Sequence, residues 1–348
     1  MASSKKVNKF RRKIMKSLTR KLGKTHVPQL GDLKDLKDVK RVLIVRTNHR
    51  LGNLLLITPL VQEVMQTFPN AKIDLIVQGF LGPNIFKNYK AVEHIIVLPK
   101  KPFKNLKQYL IRAKSIRRYK YDFAINAVIG SSSGRLYTRM ANAKFKVFGE
   151  EGQDFSKSND DGLHIAKEQV YAFRAYMQQL GFLNQHKTIP NLSINLTHEE
   201  IQNGLDKLKE LTDTTKKTIS IFTFATGSKC YLPDWWNPFY KRLQLEYPDY
   251  NIVEVLPYEN VSQIDFKAPS FYSKNIREIA AFISHTDLWI GADCGIMHLA
   301  SASGVPVVGL FSRTNQHVYG PFNGNSISLH TRDLTNDDII NAIDGIIK

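Results

Sequence analysis

From Val42 onward, short apolar runs alternate with amphipathic stretches. "VLIV" (42–45), "KIDLIV" (72–77), "HIIVL" (94–98) and "DFAINAV" (122–128) have the length and β-branched content of buried strands. Apolar positions at helical spacing predict helices over 54–67, around 103–118, near 132–142 and at 167–181. The stretch 150–165 is polar and predicts a loop. After a pause, "TISIFTF" (218–224), "NIVEVL" (251–256), "DLWIGA" (287–292) and "PVVGLF" (306–311) continue the series, with helices at 275–285, after Gly295 and at 334–347.

Strands alternating with helices of this length imply βαβ units and parallel sheets. The predicted class is α/β: two doubly wound, Rossmann-like domains facing a cleft, with ligand at the carboxyl ends of the strands. The expected boundaries are a tail at 1–30, a first domain at 40–190, a linker at 191–216 and a second domain at 217–348. Within the linker, Thr197 followed by Glu199 and Glu200 marks the start of a charged helix.

Charge changes the picture. The 348-residue chain holds 49 Lys+Arg against 31 Asp+Glu, a formal net charge of +18, and ten of the cations lie in the first 24 residues. In that tail Phe10, Ile14, Leu18 and Leu22 recur every four residues among cations. Such a helix can lie in a membrane interface, with lipid tails on one face and anionic headgroups on the other. The alternative is a solvated basic arm. Nucleic-acid binding is not expected, because no recognition motif follows. A second basic stretch, 100–120, holds nine Lys/Arg, and no acid lies between Glu93 and Asp122. Two cysteines in no pairing or zinc spacing suit a reducing compartment. With no apolar run long enough to span a bilayer and no secretory pattern, the expected location is cytoplasmic, peripheral on the inner membrane face.

Three stretches carry candidate chemistry. "RTNHRLGNLLLITPL" (46–60) sets a polar, basic turn against an apolar helix: Gly52 allows close backbone approach, the helix start offers N–H groups and Arg50 adds charge. "FTFATGSKCY" places Thr226, Gly227, Ser228 and Lys229 after a strand, a loop able to hold phosphate without being a Walker loop. "GADCGIMHLASASG" ends a strand at Asp293 and Gly295 and starts a helix with His298 one turn in. A lone helical histidine is more often structural, but this one follows an aspartate at a strand's carboxyl end.

The pairing of "RLGNLLLITPL" with "GADCGIMHLASASGVPVVGLF" resembles glycosyltransferase family 9, the lipopolysaccharide heptosyltransferases, in order from about residue 41 to 322, with "YDFAIN" (121–126) and "SRTN" (312–315) between and after. The resemblance implies the GT-B fold, ADP-activated heptose as donor, inversion by direct displacement, and no catalytic metal or other cofactor. Gly52, Thr58 and Pro59 match its first motif. Lys229 matches a donor-phosphate lysine, and Asp293, Gly295 and His298 match the donor-sugar and pyrophosphate motif; Thr314 lies in the "SRTN" segment. No Asp-x-Asp metal clamp is present. Asn53, however, stands where the family has the aspartate regarded as general base, Asn126 replaces another acidic position, and Cys294 replaces a hydroxyl. An amide cannot accept a proton at neutral pH, which leaves His49 as the nearest candidate base in sequence.

The reading that follows is a glycosyltransferase moving a sugar from a nucleotide-diphosphate donor to a lipid-linked glycan such as lipopolysaccharide, at an anionic membrane surface. Its rivals are a degenerate relative that binds nucleotide sugar or glycan without transfer, a nucleotide-sugar epimerase on the same fold, and a basic nucleic-acid binder.

Overall fold

The computed structural model describes residues 31, 33–99, 111, 114–149, 164–182 and 188–347. The tail at 1–30, most of the basic stretch 100–113 and the polar stretch 150–163 lie outside them. The chain forms two compact units. The first comprises Met1–His49, Pro59–Pro83 and Tyr89–Pro190; the second comprises Arg50–Thr58, Asn84–Asn88 and Asn191–Lys348.

Sheet one, in the first unit, contains β1 (Arg41–Arg46), β2 (Lys72–Gln78), β3 (Val92–Leu98), β4 (Tyr121–Asn126) and β5 (Ala143–Val147). All pairings are parallel and the order is β3-β2-β1-β4-β5. The middles of its central strands are mostly apolar because a parallel sheet covered on both faces must bury both sets of side chains. On one face Phe68, Phe123, Phe145 and Phe173 pack together, with successive ring centroids 4.8–5.8 Å apart. On the other, Leu43, Val45 and Ala124 pack with Tyr137 of the helix Ser132–Met140.

Sheet two, in the second unit, contains β6 (Lys217–Phe222), β7 (Tyr250–Val255), β8 (Ser270–Phe271), β9 (Leu288–Ala292), β10 (Val307–Phe311) and β11 (Ile327–His330). Its order is β11-β10-β9-β6-β7-β8, again all parallel. Trp236, Phe239 and Leu243 of the helix Pro233–Glu246 fill one face beneath Ile219, Ile290 and Leu310. Each large apolar side chain so buried contributes about 1.5–3 kcal/mol.

The predicted alternation is present, with differences that include the helices Leu81–Ile85, Pro233–Glu246 and Gln316–Tyr319, which the pattern did not single out. The expected helix 54–67 is two helices, Leu51–Leu55 and Thr58–Thr67. Between them the Thr58 hydroxyl donates to Leu55 O (2.7 Å) and accepts from Ser193 N (3.1 Å), and Pro59 supplies the fixed φ that suits a new first turn. Outer strands β5, β8 and β11 were not anticipated; β5, "AKFKV", alternates lysine with apolar residues because it borders solvent. Finally, the stretch expected as a linker is built into the second unit. Thr197 and Glu200 form a reciprocal capping box on the helix His198–Lys209. Gly204 brings that helix against the helix Ile276–Ile283 so closely that a Cβ would overlap the carbonyl of Ala281.

One arginine secures these pieces. Arg277, 4 % exposed, uses all five donors: Glu200 at 2.6 Å twice, Asn84 O at 2.9 Å, and Ile194 O and Asn195 O at 3.0 Å. Its guanidinium holds the Glu200 carboxyl well below the usual range, at about 2. Among the described residues no helix is long and apolar enough to cross a membrane.

Candidate functional site

In an open parallel sheet, the loops diverge where consecutive crossovers run in opposite directions, and a crevice opens at the carboxyl ends of the strands. In the second unit that point lies between β6 and β9. The sequence candidates cluster there. Lys229 ends the short turn Gly227–Lys229 after β6, a turn made possible by Gly227 at φ +68°. Asp293 follows β9 directly, its backbone N–H on Leu310 O of β10 (3.0 Å). Thr314 follows β10.

Asp293, 6 % exposed, accepts hydrogen bonds from both the Lys229 ammonium and the Thr314 hydroxyl. Pairing with Lys229 is what permits a carboxylate to be buried here. Tyr231 sits alongside, its hydroxyl 2.6 Å from Thr331 Oγ1; burial pushes its phenol pKa up. Cys294 lies behind, its thiol pushed up to about 12, first by burial, although the N–H groups of Met297 and Ile296 oppose the shift. A neutral thiol is no nucleophile. Thr226 and Ser228 are exposed on the Lys229 loop.

The third motif meets the first within this unit. The short helix Leu51–Leu55 packs on the helix Gly295–Ala302, glycine against glycine. A Cβ at Gly52 would stand 2.5 Å from Cδ2 of His298, and one at Gly295 would stand 3.1 Å from Cβ of Leu51. Gly52 was expected to make room for a ligand; the room is taken by the buried His298 ring. Asn53 is half-buried on the same helix, while His49 and Arg50 are exposed before it. Among the described residues neither Asn53 nor His49 makes a side-chain hydrogen bond, and none of those residues orients either one as a base.

Asn126 ends β4 in the first unit, 3 % exposed. Its Nδ2 donates to Val128 O (2.7 Å) and Phe148 O (3.0 Å), and Gly134 leaves space for its Oδ1. This amide is structural. Beside it, at the carboxyl ends of adjacent β1 and β4, Thr47 Oγ1 lies 2.6 Å from Ser133 Oγ and 3.4 Å from Ser131 Oγ, at the start of the helix Ser132–Met140. Sequence reasoning missed this hydroxyl cluster, whose signal was "GSSSG" after the fourth strand. It also missed Glu254, a fully buried carboxyl at the end of β7 that accepts from Thr223 and from Ser262 (2.7 Å) and fixes the following loop; burial pushes its pKa up.

Asp74, Glu93 and His94 have ligand atoms within 4.8 Å of one another, the spacing of a possible metal trio. The Arg41 guanidinium stands among them, 2.9 Å from Asp74, 2.6 Å from Glu93 and 2.8 Å from His94 Nδ1. The position a cation would take is filled by the protein's own.

A family model described as glycosyltransferase family 9 (heptosyltransferase) matches residues 273–337, which hold Asp293, Gly295, His298 and Thr314. Lipopolysaccharide heptosyltransferase 3 of Escherichia coli (strain K12) is 22% identical over 300 residues, 79% of this chain and 84% of that protein. Over these stretches the chain is similar to glycosyltransferase family 9. A family 9 glycosyl transferase from Veillonella parvula superposes with a TM-score of 0.67 at 22% identity, over 90% of this chain and 91% of that one. The E. coli heptosyltransferase WaaC, solved with ADP, gives 0.63 at 16% identity, over 88% and 99%. These likenesses establish the expected GT-B fold.

Proposed function

We propose that this heptosyltransferase-like glycosyltransferase moves a sugar from a nucleotide-diphosphate donor to a lipid-linked glycan. By likeness to the family the donor is ADP-heptose and the acceptor lipopolysaccharide, with inversion and without a metal. The observation that carries the reading is the Lys229–Asp293–Thr314 cluster at the switch point of the second unit. A diphosphate there would draw the half-exposed Lys229 ammonium from Asp293, freeing a carboxylate and a hydroxyl for sugar or ribose hydroxyls. As the glycosidic carbon–oxygen bond breaks, charge develops on the diphosphate. Lys229 and the N–H groups opening the helix Gly295–Ala302 would stabilise it. The acceptor would approach the first unit, where Thr47, Ser131 and Ser133 present hydroxyls beside the end of β1. The transfer would take place at the cytoplasmic face of a membrane, with the basic tail at 1–30 as a proposed contact.

The general base is the open step. Asn53 can orient a hydroxyl but cannot take its proton, and His49 is the candidate that can. A second reading, donor binding without transfer, is favoured by Asn53 and by the structural role of Asn126. Product formation from ADP-heptose and an acceptor glycolipid by wild type, His49→Ala and Asn53→Asp separates them. A base at His49 predicts a loss of roughly 10²-fold or more in His49→Ala. Inert wild type with transfer appearing only in Asn53→Asp would establish the second reading.

A further inference from the structure

The first unit carries a cluster of cations that the transfer chemistry does not use. It lies at the C-terminal end of the helix Ser132–Met140, opposite the hydroxyl cluster that opens that helix. Lys146 of β5 reaches back to donate to Arg139 O (2.9 Å), and Arg117 donates to Met140 O (3.3 Å). Arg118, Lys120 and Lys144 are exposed around them. Among the described residues no carboxylate pairs with Arg117, Arg139 or Lys146. Between positions 94 and 149 the sequence holds thirteen Lys/Arg and one acid, Asp122, whose carboxylate accepts from the backbone N–H groups of Lys40 and Arg41.

Held together, these cations repel. Lys146 has its pKa lowered, chiefly by burial and then by Arg139 and Arg117. The helix's last carbonyls offset part of the repulsion. Lysines on an outer strand can serve only to block edge pairing. That accounts for Lys144 and Lys146, but not for Arg117 and Arg139, which lie off the strand and converge on the same helix end.

We propose that this flank of the first unit, centred on Arg117, Arg139 and Lys146, docks on an anionic lipid surface. The partner is a bilayer's plane of headgroup phosphates, because a cation cluster spread over a strand edge, a helix end and a turn fits diffuse charge over an area. Nucleic acid would call for a groove-entering element or a stacking platform. The nine-residue helix, about 13 Å long, would set the hydroxyl cluster at its other end within a glycan's reach of the bilayer. The purpose of the surface rests on the reading of a lipid-linked acceptor; its test does not, since no donor, acceptor or turnover is involved.

The test is co-sedimentation of the full chain with vesicles of phosphatidylcholine alone or with 30% phosphatidylglycerol (about one lipid in three anionic, enough for a strong surface potential). Arg117→Ser/Arg139→Ser/Lys146→Ser is compared with Lys209→Ser/Lys241→Ser/Lys267→Ser, an equal charge change in the second unit. One basic residue near the surface is worth roughly fivefold in partitioning. The first variant should therefore bind anionic vesicles about a hundredfold less than wild type, and the second nearly as wild type, with far-ultraviolet circular dichroism unchanged in both. Equal binding by wild type and the first variant, or equal loss in both variants, would overturn the proposal. So would loss of duplex DNA binding in the first variant with vesicle binding intact.

Discussion

Asn126 shows what one side chain can decide. Its amide nitrogen feeds two buried carbonyls, a task no carboxylate can perform. Asn126→Asp, which restores the acidic residue expected from the family pattern, should therefore destabilise the first unit by about 1–3 kcal/mol, the usual consequence of leaving buried groups unpaired. Urea unfolding checks this. Asn53 differs, being half-buried with no side-chain hydrogen bond among the described residues. The two asparagines looked equivalent in the sequence because both replace acids; only the neighbours of Asn126, Val128 O and Phe148 O, separate a structural amide from one without such partners among the described residues. Lys229 and Asp293 were legible as candidates, since each follows a strand, but their pairing across 64 positions was not. Lys229→Ala should weaken nucleotide-sugar affinity ten- to a hundredfold, as loss of a charge-assisted phosphate contact of about 1.5–3 kcal/mol requires. Isothermal titration measures it.

At the scale of elements, close packing explains why glycines recur. Gly52→Ala would drive a methyl into the His298 ring and should destabilise by about 1–3 kcal/mol, the range for overpacked cores. Thermal unfolding with and without nucleotide sugar would show both effects. The Arg277–Glu200 clasp gives a pH signature. Because the Glu200 pKa is depressed in the folded state, its stabilisation is complete above about 4.5 and is lost as pH falls toward about 2. Glu200→Gln should flatten this part of the acid-unfolding curve. The central strands of both sheets were legible because strands buried on both faces are apolar runs. β5, β8 and β11 were not, being short outer strands with one wet face. The clasp was invisible for another reason: its acceptors at 84, 194, 195 and 200 are scattered, and three of them are backbone oxygens.

The whole molecule assigns its two ends of sequence unevenly. Residues 50–58, read as part of the first domain, pack in the second unit against the helix that follows Asp293. The two family-like motifs thus form one packed element pair, which accounts for their occurring together in one chain. Boundaries drawn at a single linker could not anticipate a chain that passes into the second unit at Arg50 and again at Asn84. The central claim is that this assembly holds a nucleotide-diphosphate sugar. The most direct measurement is the unfolding temperature of the full chain against a panel of nucleotide sugars that includes ADP-heptose. Ligand at a hundredfold excess over its Kd stabilises by about 2.7 kcal/mol, several degrees for a protein of this size. The account predicts a saturable rise with one member of the panel, strongly reduced in Lys229→Ala and in Asp293→Ala. No rise with any nucleotide sugar, or an equal rise in both variants, would contradict it.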